Sequence, residues 1–153
     1  MWRAVATEAK HMAKFLGVLH LTHSYLLSAS IGVGPSMLPT LNVSGDIMLE
    51  EHVSHRLGRI VPGDVVIVQS PDDPKRMVVK RVLGLEGDKV AFFDPHRIFR
   101  HSSAVVPKGH VWIQGDNVYN SHDSRSHGPV PYGLIHGRVF FKVWPPDGFG
   151  FIR

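Results

Sequence analysis

An all-β domain behind a single N-terminal helix is the fold this sequence predicts, on three observations. Eleven prolines and fifteen glycines are spread along 153 residues, which favours short strands and turns over long helices. After Thr40 the apolar residues come in short β-branched runs bounded by turn chemistry, Pro62-Gly63-Asp64 opening one and Ser70-Pro71-Asp72-Asp73-Pro74 closing it. Before residue 32 the pattern is different: a long, largely apolar stretch without Asp, Glu, Lys or Arg, preceded by basic residues. The chain therefore divides into a segment 1–32, basic and then hydrophobic, and a β-rich domain 33–153 of a size that builds one real core.

Residues 1–14 carry Arg3, Lys10 and Lys14 against Glu8, and from Phe15 to Ile31 come 17 residues with no Asp, Glu, Lys or Arg. That length is at the lower end for a membrane-spanning helix, and His20, Thr22 and His23 weaken it further. The expectation is a helix that anchors the chain to a membrane with its N-terminus on the positive, inner side. The alternative is an amphipathic helix lying in the interface or on the domain.

The strands follow in order. Asp46–Glu50 and Asp64–Gln69 read as strands, the second β-branched on both faces and so buried on both. Asp46 and Asp64 each open a strand as turn or cap residues. Met77–Leu85 is a third strand, and Val90–Phe93 is expected to pair back on it through a Gly87-Asp88 turn. Residues 94–106 read as a loop. Val111–Gln114 and Val139–Trp144 complete the set, and Pro145-Pro146 ends it.

Composition excludes several functions. With 20% charged and 43% hydrophobic residues the chain is folded, not disordered. The net charge of +4 is scattered and not interleaved with aromatics, so nucleic acid is not an expected partner. The absence of cysteine rules out disulfides, thiolate chemistry and cysteine-bound zinc.

One short stretch stands out, Gly34-Pro35-Ser36-Met37-Leu38-Pro39-Thr40. Two prolines stiffen it and hold the residues before them extended. It reads either as a rigid turn or as a presented serine nucleophile, which needs a base. Lys80 and Arg81 sit side by side in an apolar strand, so they point to opposite faces, with Val78 and Val82 beside Lys80 and Val79 and Leu83 beside Arg81. One of the two must lie against apolar surface. A lysine buried without a carboxylate loses its charge more easily and becomes a competent base for serine.

The segments GPSMLPT, KRVLGLEGDKV and QGDNVYNSHDSRSHGPVPYGLIHGRV, taken together and in this order, resemble the type I signal peptidases, the serine–lysine membrane proteases. DSRSHGPVPYGLIHGRV and Val143-Trp144-Pro145-Pro146 resemble the mitochondrial inner membrane branch of that family, of the subunit 1 type. The resemblance implies an antiparallel all-β catalytic fold with Ser36 as nucleophile and Lys80 as general base. It implies supporting roles for Gly115, Asp116, Asn117, Ser121, Asp123 and Arg125, Ser121 orienting the lysine and Asp123 pairing with Arg125. Met37 and Leu38 are expected to line a shallow substrate pocket. No cofactor and no metal is expected. The implied partners are precursor proteins bound as extended strands, the membrane, and a second related peptidase subunit. The implied place is the mitochondrial inner membrane, catalytic domain toward the intermembrane space, where presequences are removed. Some family members carry a hydroxyl residue two positions before the serine; this chain has Gly34, so an oxyanion donor from that side chain is not expected. The reading from another class is a non-catalytic β-domain that serves as a binding subunit of a membrane protease complex.

Histidines offer rival sites. His52 and His55 lie three apart in a loop-like stretch with no matching carboxylate pattern, and a zinc site there is set aside. His122-Asp123 beside Ser121 and Ser124 has the composition of a triad, but sequence neighbours do not reach a relay geometry.

Overall fold

A computed structural model of the chain describes residues 2–93 and 101–152. Helix α1 runs over Trp2–Leu21 and passes through a π-helical turn, Thr22–Leu26, into strand β1, Leu27–Val33. The remaining strands are β2 (Ser44–Glu51), β3 (Val65–Gln69), β4 (Met77–Gly84), β5 (Lys89–Phe93), β6 (His101–Val105), β7 (His110–Gln114), β8 (Val130–Pro131), β9 (Ile135–Trp144) and β10 (Gly150–Phe151). A four-residue helix α2, Ser124–His127, precedes β8. The predicted all-β domain behind an N-terminal helix is what forms.

The main sheet is antiparallel throughout and has the order β1-β2-β9-β3-β4-β7-β8, with β10 folded back on β9. Strand β3 lies inside it and is buried on both faces. Val66 and Val68 pack with Val82, Val111, Ile113, Val130 and Ile135 on one side. Val65 and Ile67 pack with Met37, Leu41, Met48 and Val139 on the other. The continuous β-branched run of β3 is thus the sequence signature of a strand with core on each side.

Three sequence expectations change. The charge-free stretch to Ile31 is not helical throughout: from Leu27 it is the strand β1, paired along its length with β2. The reason is local. Leu-Ser-Ala-Ser-Ile-Gly-Val alternates apolar residues with Ser or Gly, a period of two, and Ser28, Ser30 and Gly32 face inward while Leu27, Ala29, Ile31 and Val33 stay exposed. The second change is at β5. It pairs with β6 and not with β4, because both edges of β4 are already taken by β3 and β7. The third is residues 94–106, where 101–105 are strand; residues 94–100 lie outside the described part. No helix among the described residues is long and apolar enough to cross a membrane. Phe15, Leu16, Val18 and Leu19 of α1 are exposed.

Candidate active site

The residues between β1 and β2 make a tight turn around the serine. Pro35–Met37 form one turn of 3-10 helix, with Leu38 N–H donating to the Pro35 carbonyl at 3.3 Å and Leu41 N–H to the Met37 carbonyl at 2.9 Å. Gly34 caps it with φ of 118° and ψ of 155°, a backbone conformation essentially confined to glycine. That gives Gly34 its reason: a hydroxyl side chain at this position would be strained. Met37, 2% exposed, is the anchor that fixes the turn to the core.

The loop after β7 holds the same turn from the other side. Asn117 N–H donates to the Ser36 carbonyl at 3.0 Å, and Asn117 Nδ2 donates to the Pro35 carbonyl at 3.0 Å. Gly115 lies where the two meet; a Cβ there would collide with the Ser36 carbonyl oxygen and the Ser121 hydroxyl. Only glycine allows this approach.

Lys80 arrives from β4. The strand's burial separates its two cations as alternation requires: Lys80 shares the buried face with Val82, and Arg81 turns to the opposite face. Arg81 is fully engaged, with Nε and Nη2 donating to the two Asp116 oxygens at 2.8 and 2.7 Å and Nη1 donating to the Gly63 carbonyl at 2.8 Å. Thr40 Oγ1 donates to Asp116 Oδ2 at 2.6 Å. Asp116 therefore ties the end of the serine turn to the lysine strand. Burial would raise its pKa, but Arg81 and Thr40 outweigh this and hold the carboxyl below the usual range.

Lys80 itself is 3% exposed and, among the described residues, has no carboxylate at salt-bridge distance. Its pKa is lowered from 10.5 to about 8, chiefly by burial, with Asp123 opposing and Arg76 and Arg125 adding to the fall. Asp123 is held elsewhere. It accepts from Gly115 N–H, the Ser121 hydroxyl, and Arg125 N–H, Nε and Nη2, with the Arg125 pair at 2.7 Å. Burial would raise the Asp123 pKa, but these donors reverse it and keep the group ionised. The Ser121 hydroxyl donates to Asp123 Oδ2 at 2.6 Å.

Ser36 and Lys80 line one cleft of about 350 Å³. Its walls come from β1 (Ile31, Gly32, Val33), from β4 (Met77, Val78, Val79) and from the loop bearing Asn120 and His122. Met37 lines it as expected; Leu38 is not part of the lining. The structure thus brings Ser36, Lys80 and the 115–125 loop together and places Arg81 behind them. What sequence reasoning missed is the contribution of β1, and the period-two pattern of Leu27–Val33 is the signal that carried it. His122 faces the exposed Asp72 at 2.8 Å and Asp123 faces Arg125, so the triad composition forms no triad.

The chain matches the family described as signal peptidase, peptidase S26, over residues 6–97 and 93–144. It belongs to that family. It is a signal-peptidase-like serine endopeptidase. It is 57% identical to the mitochondrial ATP-independent inner membrane protease subunit 1a of Arabidopsis thaliana, over 99% of this chain and 94% of that protein. It is 49% identical to the human mitochondrial inner membrane protease subunit 1, over 89% of this chain and 81% of that one. The zebrafish (Danio rerio) inner membrane protease subunit 2 is more distant, at 40% over 74% of this chain and 62% of its own length. A crystal structure of a signal peptidase I from Enterococcus faecalis aligns with a TM-score of 0.45 at 21% identity, over 52% of this chain and 95% of that one.

Proposed function

We propose that this signal peptidase acts through a Ser36–Lys80 dyad at the mitochondrial inner membrane and removes targeting or sorting presequences from proteins delivered to the intermembrane space. The observation that carries the dyad is Lys80: a lysine buried in the serine's own cleft, without an ion-pair partner among the described residues, with a pKa of about 8. At neutral pH about a tenth of such a lysine is uncharged, against roughly one in 2,500 for an ordinary one. Neutral Nζ takes the Ser36 Oγ proton as Oγ attacks the scissile carbonyl. The resulting ammonium gives that proton to the leaving amine, and an acyl-enzyme remains on Ser36. Lys80 Nζ then deprotonates a water, which releases the acid and restores the serine. The substrate lies extended beside β1, whose outer edge pairs with no strand among the described residues.

The names of the plant and vertebrate relatives support the mitochondrial inner membrane, and the existence of relatives named subunit 1 and subunit 2 supports a hetero-oligomer with a related peptidase chain. The exposed apolar residues of α1 support the helical part of the 1–32 segment, up to Leu26, as the anchor; β1, Leu27–Val33, pairs with β2 and is assigned to the peptidase domain, whose start moves from 33 to 27. Ser36→Ala and Lys80→Ala are each expected to stop precursor processing while the chain stays folded at the membrane; wild-type processing in either variant sinks the dyad. An acylating probe is expected to label wild type and not Ser36→Ala. No labelling in the intact complex would favour a non-catalytic binding subunit instead. Precursors that accumulate in Ser36→Ala, mapped by mass spectrometry, are expected to be intermembrane-space proteins, and a different set overturns the assigned location.

A further inference from the structure

Away from the serine, at the β1–β2–β9 edge, is a buried polar cluster that short-range pairing does not satisfy. Glu50 is the penultimate residue of β2, His52 is the first residue after that strand, and His136 is the second residue of β9. One ligating atom from each lies within 4.8 Å of the others. Glu50 and His52 are 6% and 3% exposed, while His136 is open to solvent. His52 Nδ1 is 3.0 Å from the His136 carbonyl, which can only accept, so the proton sits on Nδ1 and Nε2 keeps a lone pair. The Ser28 hydroxyl is 2.8 Å from both that Nε2 and Glu50 Oε1, and it has one proton for the two. Among the described residues Glu50 Oε2 is buried with no partner, and so is the neighbouring Ser30 Oγ. Even a proton on His52 Nε2 leaves Oε2 unanswered. Backbone space has been cleared for the cluster as well: a Cβ at Gly137 would come within 3.2 Å of both Glu50 Oε2 and His52 Nδ1.

This cluster lacks positive charge, and its donors have the composition of a metal site. We propose that Glu50, His52 and His136 bind a divalent transition metal of the zinc class, with the Ser28 hydroxyl or a water in the fourth position. Two imidazoles and a carboxylate suit zinc. The hydrogen bond from His52 Nδ1 to a backbone carbonyl is the support that orients a ligating histidine and leaves Nε2 for the metal. Tetrahedral zinc needs its ligand atoms about 3.4 Å apart, so the cluster closes slightly on binding. A cleft lined by Ser30, Glu50 and His136 gives the ion a way in. The metal would clip β2 to β9 beside the strand that leads to Ser36. The site is independent of the serine–lysine reading.

The test is to strip the full-length chain in detergent with a chelator and titrate Zn²⁺ against a fluorescent competitor, with Co²⁺ absorption as a second readout. The expected result is one Zn²⁺ per chain and the intense visible bands of four-coordinate Co²⁺. His136→Ala and Glu50→Gln are expected to weaken binding by at least about tenfold, the smallest loss seen even for outer-shell changes. His55→Ala, whose ring is 6.4 Å from that of His52 and outside the cluster, is expected to bind as wild type. Unfolding temperatures without metal check that each variant is folded; if Glu50→Gln is not, the exposed His136→Ala decides. Zn²⁺ affinity that is equal in wild type and His136→Ala, or stoichiometric binding absent in wild type, overturns the site.

Discussion

Two lysines are buried in this molecule to nearly the same depth and have opposite surroundings. Lys142, on β9, is 6% exposed and its Nζ is 3.2 Å from Asp46 Oδ1, a carboxylate that also accepts from Asn42 N–H and Nδ2. Lys80, on β4, is 3% exposed and has no such partner; the nearby Asp123 is taken up by Arg125, and Asp116 by Arg81. Burial is common to both lysines. What differs is whether the neighbouring carboxylate has been assigned to another cation, and that assignment leaves Lys80 with a lowered pKa, as the proposed base requires. The arginines of the site thus do more than hold loops in place: they keep the acids away from Lys80.

The largest effect expected is on catalysis. Lys80→Met removes the proposed base and is expected to lower kcat/KM by at least the roughly 10²–10⁴-fold attributed to general-base catalysis, measured on a precursor peptide. Lys142→Met is expected to leave the chemistry of the surviving folded protein unchanged but to destabilise it by about 3–5 kcal/mol in denaturant unfolding, because it strands the buried Asp46. A loss of activity at constant fold would break the contrast between the two lysines.

The same Met substitution at position 80 is expected to act on stability in the other direction. A pKa held at about 8 in the fold against 10.5 unfolded means that the charged form is penalised, by about 3 kcal/mol as an upper bound. The penalty is complete below pH 8 and fades as pH rises toward 10.5, so the gain in Lys80→Met is expected near neutrality and should vanish in strongly alkaline unfolding experiments. Lower stability at pH 7 would show that Lys80 has a favourable partner after all.

Two smaller effects sharpen the cause. The wild-type kcat/KM is expected to rise about tenfold per pH unit on the acid side and to level off near pH 8, the pKa of the free enzyme's base. Arg76→Gln removes a positive charge that helps to depress Lys80 and is expected to move that limb to higher pH without changing its slope. A limb that stays in place means that Arg76 contributes nothing to the fall, leaving burial and Arg125 as its causes.

Legibility in the sequence was uneven for physical reasons. The serine turn was readable because two prolines leave it few conformations. The strands of the core were readable because β-branched residues buried on both faces have no other simple reading. Strand β1 was hidden because small serines between apolar residues look like a helix in a charge-free count, and only their alternation, with β2 to pair with, makes a strand. The partner of β5 was misassigned because Gly87-Asp88 specifies a turn and not which edge of which strand is free. His136 was invisible as a companion of Glu50 and His52, since 84 residues separate it from His52 in the chain.

By itself the amino-acid order determined the fold class, the serine, and the fact that one of the adjacent cations Lys80 and Arg81 had to face an apolar surface, because alternation along a strand is a local property. Which of the two it is, and that the carboxylates nearby are already committed to Arg81 and Arg125, was decided only when β4, β7 and the loop at 115–125 came together. Pairing between charges depends on distances in space, and tertiary packing alone sets those.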